Sequence, residues 1–168
     1  MKKFTIQLGE RLAKEIDVGV NATFVNMFGI KPTMGAFEVA EKCTVQGDVS
    51  GILNLMQEKS EGAFIVTFPK QTIFKILEKM YRKPFTSIDK SVQSGVGELT
   101  NIIYAVMKTN LNKDGFQFKM AVPNVVVGEN HTVMIDNEGS SMIVPFSTDI
   151  GDFSVLITFH EQEKSAAA

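Results

Sequence analysis

Apolar residues at Leu12, Ile16, Val20, Phe24 and Met27 recur in steps of three and four, so the spacing predicts one face of a helix over about Gly9 to Phe28. Gly29 supplies a C-terminal stop and Pro32 prevents continuation. The pattern then changes to that of strands. Phe37 to Val45 and Asp48 to Gln57 flank Gln46-Gly47, which reads as a hairpin turn, and Gly62 to Phe68 is a third strand. Pro69 opens a helix carried by Ile73, Ile76, Leu77 and Met80, and Lys83-Pro84 breaks it. A long helix runs from about Ile88 to Leu111, with Ser87 as its predicted N-cap and Asn112 to Gly115 as its end. Strand patterns follow at Gln117 to Val127, Thr132 to Ile135, Ser141 to Phe146 and Asp152 to Phe159, punctuated by Gly128, Asn137, Gly139 and Gly151.

Strands joined by short turns favour a mainly antiparallel sheet with long helices packed on it, an α+β fold. Gly62 to Phe68 and Gly151 to Phe159 echo each other, at an offset of about 85 to 90 residues that is too long for a solenoid repeat. The echo fits two helix-plus-three-strand halves. It fits equally the general likeness of amphipathic strands.

Composition narrows the function classes. A chain of 168 residues with 44% hydrophobic residues forms one domain with a sizeable core, here 1–160, followed by a frayed tail over 161–168. Lys and Arg number 17 against 19 Asp and Glu, a net charge of −2, so no excess of basic charge points to nucleic acid. No apolar run has the length of a signal peptide or a membrane span. Cys43 is the one cysteine, which excludes an intrachain disulfide and suits the reducing cytoplasm. Its setting, Val39 to Val45, reads as a strand with a buried, inert thiol. His131 and His160 lack the paired spacing of a zinc site. Gly29 to Gly35 lacks the Lys-Ser or Lys-Thr that completes a phosphate-cradling loop, and Gly95 and Gly97 lie within a helix, where a dinucleotide fingerprint does not occur. No metal or cofactor of its own is expected.

The long helix holds the candidate chemistry. At about 100° per residue, Val92, Val96, Leu99, Ile103 and Val106 form the stripe expected to face the core. Ser94, Glu98, Asn101, Ala105 and Lys108 form a second stripe about 150° away, with Glu98 and Asn101 one turn apart. Asn, Gly95 and Gly97 all weaken a helix interior. The glycines and Ala105 are expected to thin the surface around Glu98 and Asn101, so that another molecule could approach closely. On spacing alone, a Glu and an Asn on a solvated face most often serve solubility.

The segment from Ser94 through Glu98 to Asn101 resembles the signature helix of the CheC/CheX/FliY chemotaxis phosphatases. That pattern is Asp or Ser, three residues, Glu, two residues, Asn, then a proline. Pro123 follows Asn101 after 21 residues, one fewer than the family spacing, a difference the Asn112–Gly115 turn can absorb. The similarity extends from about Ile16 to Phe159, through Gly29 and Pro32, Gly47 to Gly51, Lys108 to Leu111, Pro123 to Gly128 and Gly151 to Ser154. The first helix lacks the signature: Ala13 and Val18 stand three residues after Glu10 and Glu15. One site per chain is the CheX-like arrangement, which implies a homodimer.

The resemblance implies a CheC-like fold and a phosphatase acting on the aspartyl phosphate of a CheY-like response regulator. Glu98 and Asn101 would be catalytic, and Ser94, Ala105, Lys108 and Pro123 would line the contact. Mg2+ is expected in the partner receiver domain, not in this chain. A non-catalytic adaptor of the same fold, binding a receiver or a CheD-type regulator, and a dimeric scaffold both remain compatible with the residues.

Overall fold

The computed structural model describes residues 6–57, 60–135 and 140–161. The tail expected over 161–168 therefore lies, beyond Glu161, outside the described residues. In chain order the elements are α1 (Ile6–Phe28), β1 (Thr33–Met34), β2 (Glu38–Ala40), β3 (Thr44–Gln57), β4 (Ser60–Phe68), α2 (Lys70–Tyr81), α3 (Lys90–Lys113), β5 (Asn124–Met134), β6 (Ser140–Thr148) and β7 (Gly151–Glu161). Seven strands form one sheet in the order β1-β6-β7-β4-β3-β5, with β2 also paired to β6. Every pairing is antiparallel.

Strand side chains alternate between the two sheet faces. Val49, Leu53, Phe64, Val66, Phe68, Val155 and Ile157 join the helices in the main core, while Val45, Ala63, Ile65 and Leu156 form a smaller apolar cluster. The helices thus share one face of the sheet. In α1 the buried stripe is Leu12, Ile16, Val20, Phe24 and Phe28, whereas Met27 is exposed. The step of four simply continues to Phe28, whose ring meets Phe24 edge-on at 5.5 Å. Gly29, at φ 65°, ends the helix, with Gly29 N–H donating to Val25 O and Ile30 N–H to Phe24 O.

Five sequence expectations are corrected. The hairpin at Gln46-Gly47 does not form; β3 runs through it and pairs with β5, with a register shift between Gly47 and Val49. A glycine there serves a β-bulge and a close approach to β4, since a Cβ on Gly47 would stand 2.9 Å from Phe68 O. The strand expected from Phe37 to Val45 is split: Glu38–Ala40 form β2, Thr44 and Val45 open β3, and Cys43 lies between them. Residues 117–123 lie outside the sheet, and at Phe118 the side chain of Asn112 stands in for a neighbouring strand. Its Nδ2 donates to Phe118 O at 3.0 Å and its Oδ1 accepts from Phe118 N at 2.9 Å. Beyond them β5 continues through Gly128, so Thr132 belongs to it and not to a separate strand. The N-cap of α3 is Asp89, not Ser87, since the Asp89 carboxylate accepts from Val92 N at 2.9 Å.

The bulge residue Asp48 joins three elements. Pro69, at the N-cap of α2, makes no side-chain cap bond. Asp48 Oδ2 instead accepts from Lys70 N at 2.6 Å, and its Oδ1 accepts from Asn130 N, in β5, at 2.7 Å. These two bonds, that from Asn130 foremost, hold the carboxyl below its ordinary pKa against the opposing effect of burial. Asp48→Ala should lower unfolding stability by about 1–3 kcal/mol at neutral pH, measured by denaturant titration. Because the folded-state pKa is lowered, this advantage of the wild type is complete above the ordinary carboxylate range. It should fade as pH falls through the lowered value; a deficit in the variant that stays constant in acid would contradict the role.

Candidate functional site

Helix α3 buries Val92, Gly95, Val96, Gly97, Leu99, Thr100, Ile103, Tyr104, Met107 and Leu111. Ser94 and Glu98 are exposed, and Asn101, Ala105 and Lys108 are half-buried, so the expected polar stripe lies along the outer side of the helix. Val106 departs from the reading. It is half-buried and turns toward this outer side, and Tyr104 and Met107 take the inward places.

The glycines also have a different purpose from the one expected. Both are buried. A Cβ on Gly95 would stand 2.7 Å from Leu77 Cδ2, so its absence admits the last turns of α2 against the α3 backbone. Gly97 faces Pro123 Cγ and Val125 Cγ2, each at 3.6 Å from where a Cβ would stand, which is ordinary contact. Neither glycine thins the exposed surface. Pro123 thereby packs beside α3 just ahead of β5, on the flank of the helix next to Glu98.

Asn101 Oδ1 and Ser141 Oγ are the two buried side-chain polar atoms that lack a hydrogen-bond partner among the described residues. Turning the Asn101 amide over would bury an unpartnered NH2 in the same place. The residue stands at one end of a shallow groove of about 400 Å³ that continues along Ile102, Ala105, Val106, Thr109 and Asn110. A buried acceptor without a partner costs about 1–3 kcal/mol.

Tyr81, which no sequence pattern singled out, borders the site from α2. Its Cε2 is 3.4 Å from where a Gly95 Cβ would be. Burial pushes its phenol pKa up, and the nearby Glu98 carboxylate adds to the effect. Other candidate groups lie elsewhere. Cys43 is buried, its thiol pKa raised chiefly by burial, and its Sγ lies 3.6 Å from Ser141 O. His131 Nδ1 donates to Gly128 O at 2.7 Å, and its Nε2 lies 2.8 Å from Ser50 Oγ, which also bonds Thr67 Oγ1 at 2.6 Å. Ser50 and Thr67 are buried, so this chain of hydroxyls pins β3, β4 and β5 together. Among the described residues no three His, Cys, Asp or Glu side chains come together as metal ligands, and no helix is long and apolar enough to cross a membrane.

The chain thus combines an antiparallel sheet, helices on one face of it, and Glu98 and Asn101 on the outer side of the longest helix. Residues 45–147, more than half of the chain, match the chemotaxis phosphatase CheX family, and the chain belongs to that family. No curated protein sequence matches it. Among solved structures it is similar to a CheC-like superfamily protein from Shewanella sp. PV-4, at 29% identity and a TM-score of 0.85 over 94% of this chain and 99% of that one. It is also similar to the chemotaxis protein CheX from Vibrio vulnificus, at 27% identity and a TM-score of 0.82 over 89% and 99% of the two chains. A third similar structure is the CheX-CheY-BeF3-Mg2+ complex from Borrelia burgdorferi, at 26% identity and a TM-score of 0.70 over 88% and 97%.

The two glycines of α3 should respond oppositely to alanine. Gly97→Ala adds a methyl at ordinary contact distance and should stabilise the fold by about 0.5–1 kcal/mol. Gly95→Ala forces Leu77 aside and should destabilise it by about 1–2 kcal/mol. Denaturant midpoints of the two variants check both, and equal shifts would contradict the assigned contacts.

Proposed function

We propose that the protein is a phosphatase that hydrolyses the aspartyl phosphate of a CheY-type receiver domain, with Asn101 and Glu98 as its working residues. The observation that carries this reading is the unpartnered amide oxygen of half-buried Asn101, one helical turn from exposed Glu98. Membership of the CheX family and the likeness to a chain solved in complex with CheY support the choice of partner.

An acyl phosphate already has a good leaving group, and phosphoryl transfer passes through a largely loose transition state. What a second protein can add is position. The Asn101 amide donates and accepts hydrogen bonds without changing protonation, which suits it to hold a water in line with phosphorus. Such orientation lowers a barrier by several kcal/mol. The water attacks phosphorus, the phosphorus–oxygen bond to the receiver's aspartate breaks, and inorganic phosphate and a free carboxylate result. Glu98 serves as an anchor, pairing with the receiver's active-site lysine and so fixing how Asn101 enters. Ser94, Ala105 and Lys108 line the contact on the same stripe, and Pro123 shapes its flank. Any Mg2+ belongs to the receiver. The protein works in the cytoplasm as a homodimer with one such site per chain.

Phosphate release from phosphorylated CheY tests the reading. Asn101→Ala should abolish the stimulated rate and leave affinity within about threefold of wild type, since the amide acts on the water and not on docking. Glu98→Ala should weaken binding by about tenfold or more, together with the rate. Binding without any rate enhancement by the wild type would select an adaptor instead.

A further inference from the structure

We infer that Tyr81, at the end of α2, is a positioning residue for Glu98 and extends the receiver-docking surface from α3 onto α2. The inference rests on the phosphatase reading above and concerns a residue outside the helix that carries the Glu–Asn pair.

Its setting is built. Gly95 lets the last turns of α2 lie directly on α3, so the Tyr81 ring edge rests over the helix backbone one turn before Glu98. On its other side the ring meets Phe85 at 5.9 Å and an interplanar angle of 70°, and Phe85 is itself buried against Phe74. A tyrosine fixed at both ring edges has little rotamer freedom left to lose on binding. It is nevertheless 38% exposed. Rigid, half-exposed tyrosines of this kind are the residues that dominate protein interfaces.

The chain then turns sharply. Arg82 takes φ 55°, which ends α2, and Lys83 stands over the Phe85 ring with Nζ 5.2 Å from its centre. Two exposed cations therefore follow Tyr81 directly.

Tyr81 and Glu98 form no hydrogen bond in the free chain, yet the carboxylate acts on the phenol electrostatically. A phenol donating to a carboxylate is a charge-assisted bond, which narrows the directions the carboxylate can take. Glu98 has several rotamers on an open helix face, and the bond selects the one that reaches a cationic partner group. The bond forms as the receiver docks and water leaves.

The test uses the full chain and CheY loaded with BeF3 and Mg2+ for binding, and phosphorylated CheY for turnover. Tyr81→Phe removes only the hydroxyl. It should weaken binding about tenfold, keep the single-turnover rate at saturating CheY, and leave the thermal unfolding midpoint unchanged. In a Glu98→Ala background the same substitution should cost nothing further. Tyr81→Ala, which also loses the ring contact, should bind more weakly still. Wild-type affinity in Tyr81→Phe, or losses that add to those of Glu98→Ala, would overturn the inference. So would a midpoint that falls with affinity, which marks a purely structural tyrosine. If Glu98→Ala and Asn101→Ala are themselves without effect, the phosphatase reading has failed and this one with it; if they act and Tyr81→Phe does not, only this one has.

Discussion

Helix α3 is seated against its neighbours at places where side chains are missing. A Cβ on Gly19 of α1 would stand 2.8 Å from Ile103 O, one on Gly51 of β3 would overlap the Thr100 side chain, and one on Gly95 would stand 2.7 Å from Leu77 of α2. Three elements thus press on α3 from three directions, each through a glycine. Thr100 can face the sheet because its hydroxyl donates back to Val96 O at 2.7 Å. The consequence is a helix with little freedom to shift and one side left open. A site that works by positioning needs such a support, because an error of about 1 Å in the placement of a reacting group can cost two orders of magnitude in rate.

That the Glu–Asn pair shares a face was legible in the sequence, since a helix of 3.6 residues per turn fixes the angle between Glu98 and Asn101 without reference to anything else. The glycines were not legible in the same way. A glycine inside a helix looks identical whether it thins a surface or admits a neighbour, and only the position of Leu77, far off in the chain, decides. Gln46-Gly47 poses the same difficulty, because turns and bulges both draw on glycine. Residues 117–123 carry a strand-like pattern, but the backbone of Phe118 bonds the side chain of Asn112 and Lys119 O accepts from the Tyr104 hydroxyl. Tyr81 had no local signal at all. It reaches the site from another helix, and its separation from Glu98 along the chain matches no helical or strand period.

The fold places its polar groups under a strict rule with few exceptions. Buried polar atoms find partners because leaving them unpaired costs more than a typical hydrogen bond contributes. Asp48 satisfies two backbone N–H groups of two different elements. His131, Ser50 and Thr67 satisfy one another inside the sheet. Tyr104, buried with its phenol pKa pushed up to about 12, donates to Lys119 O at 2.7 Å and so fastens the segment between α3 and β5.

The two long helices offer an internal comparison that bears on where function lies. Glu15 of α1 is only 4% exposed and is fully engaged, pairing with Arg11 at 2.8 Å and accepting from Asn110 Nδ2 at 2.7 Å. Arg11 in turn pairs with Asp114 at the end of α3. Here a carboxylate and an amide, one from each helix, are used on each other, and the result is an α1–α3 clasp. Glu98 and Asn101 are the same two residue types, and both sit on α3. Yet Glu98 makes no ion pair among the described residues, and the buried oxygen of Asn101 accepts nothing. Stability alone explains the first pair. The second pair has no such partner among the described residues. Under the phosphatase proposal the partner of this second pair comes from outside, across the side of α3 that its neighbours leave open.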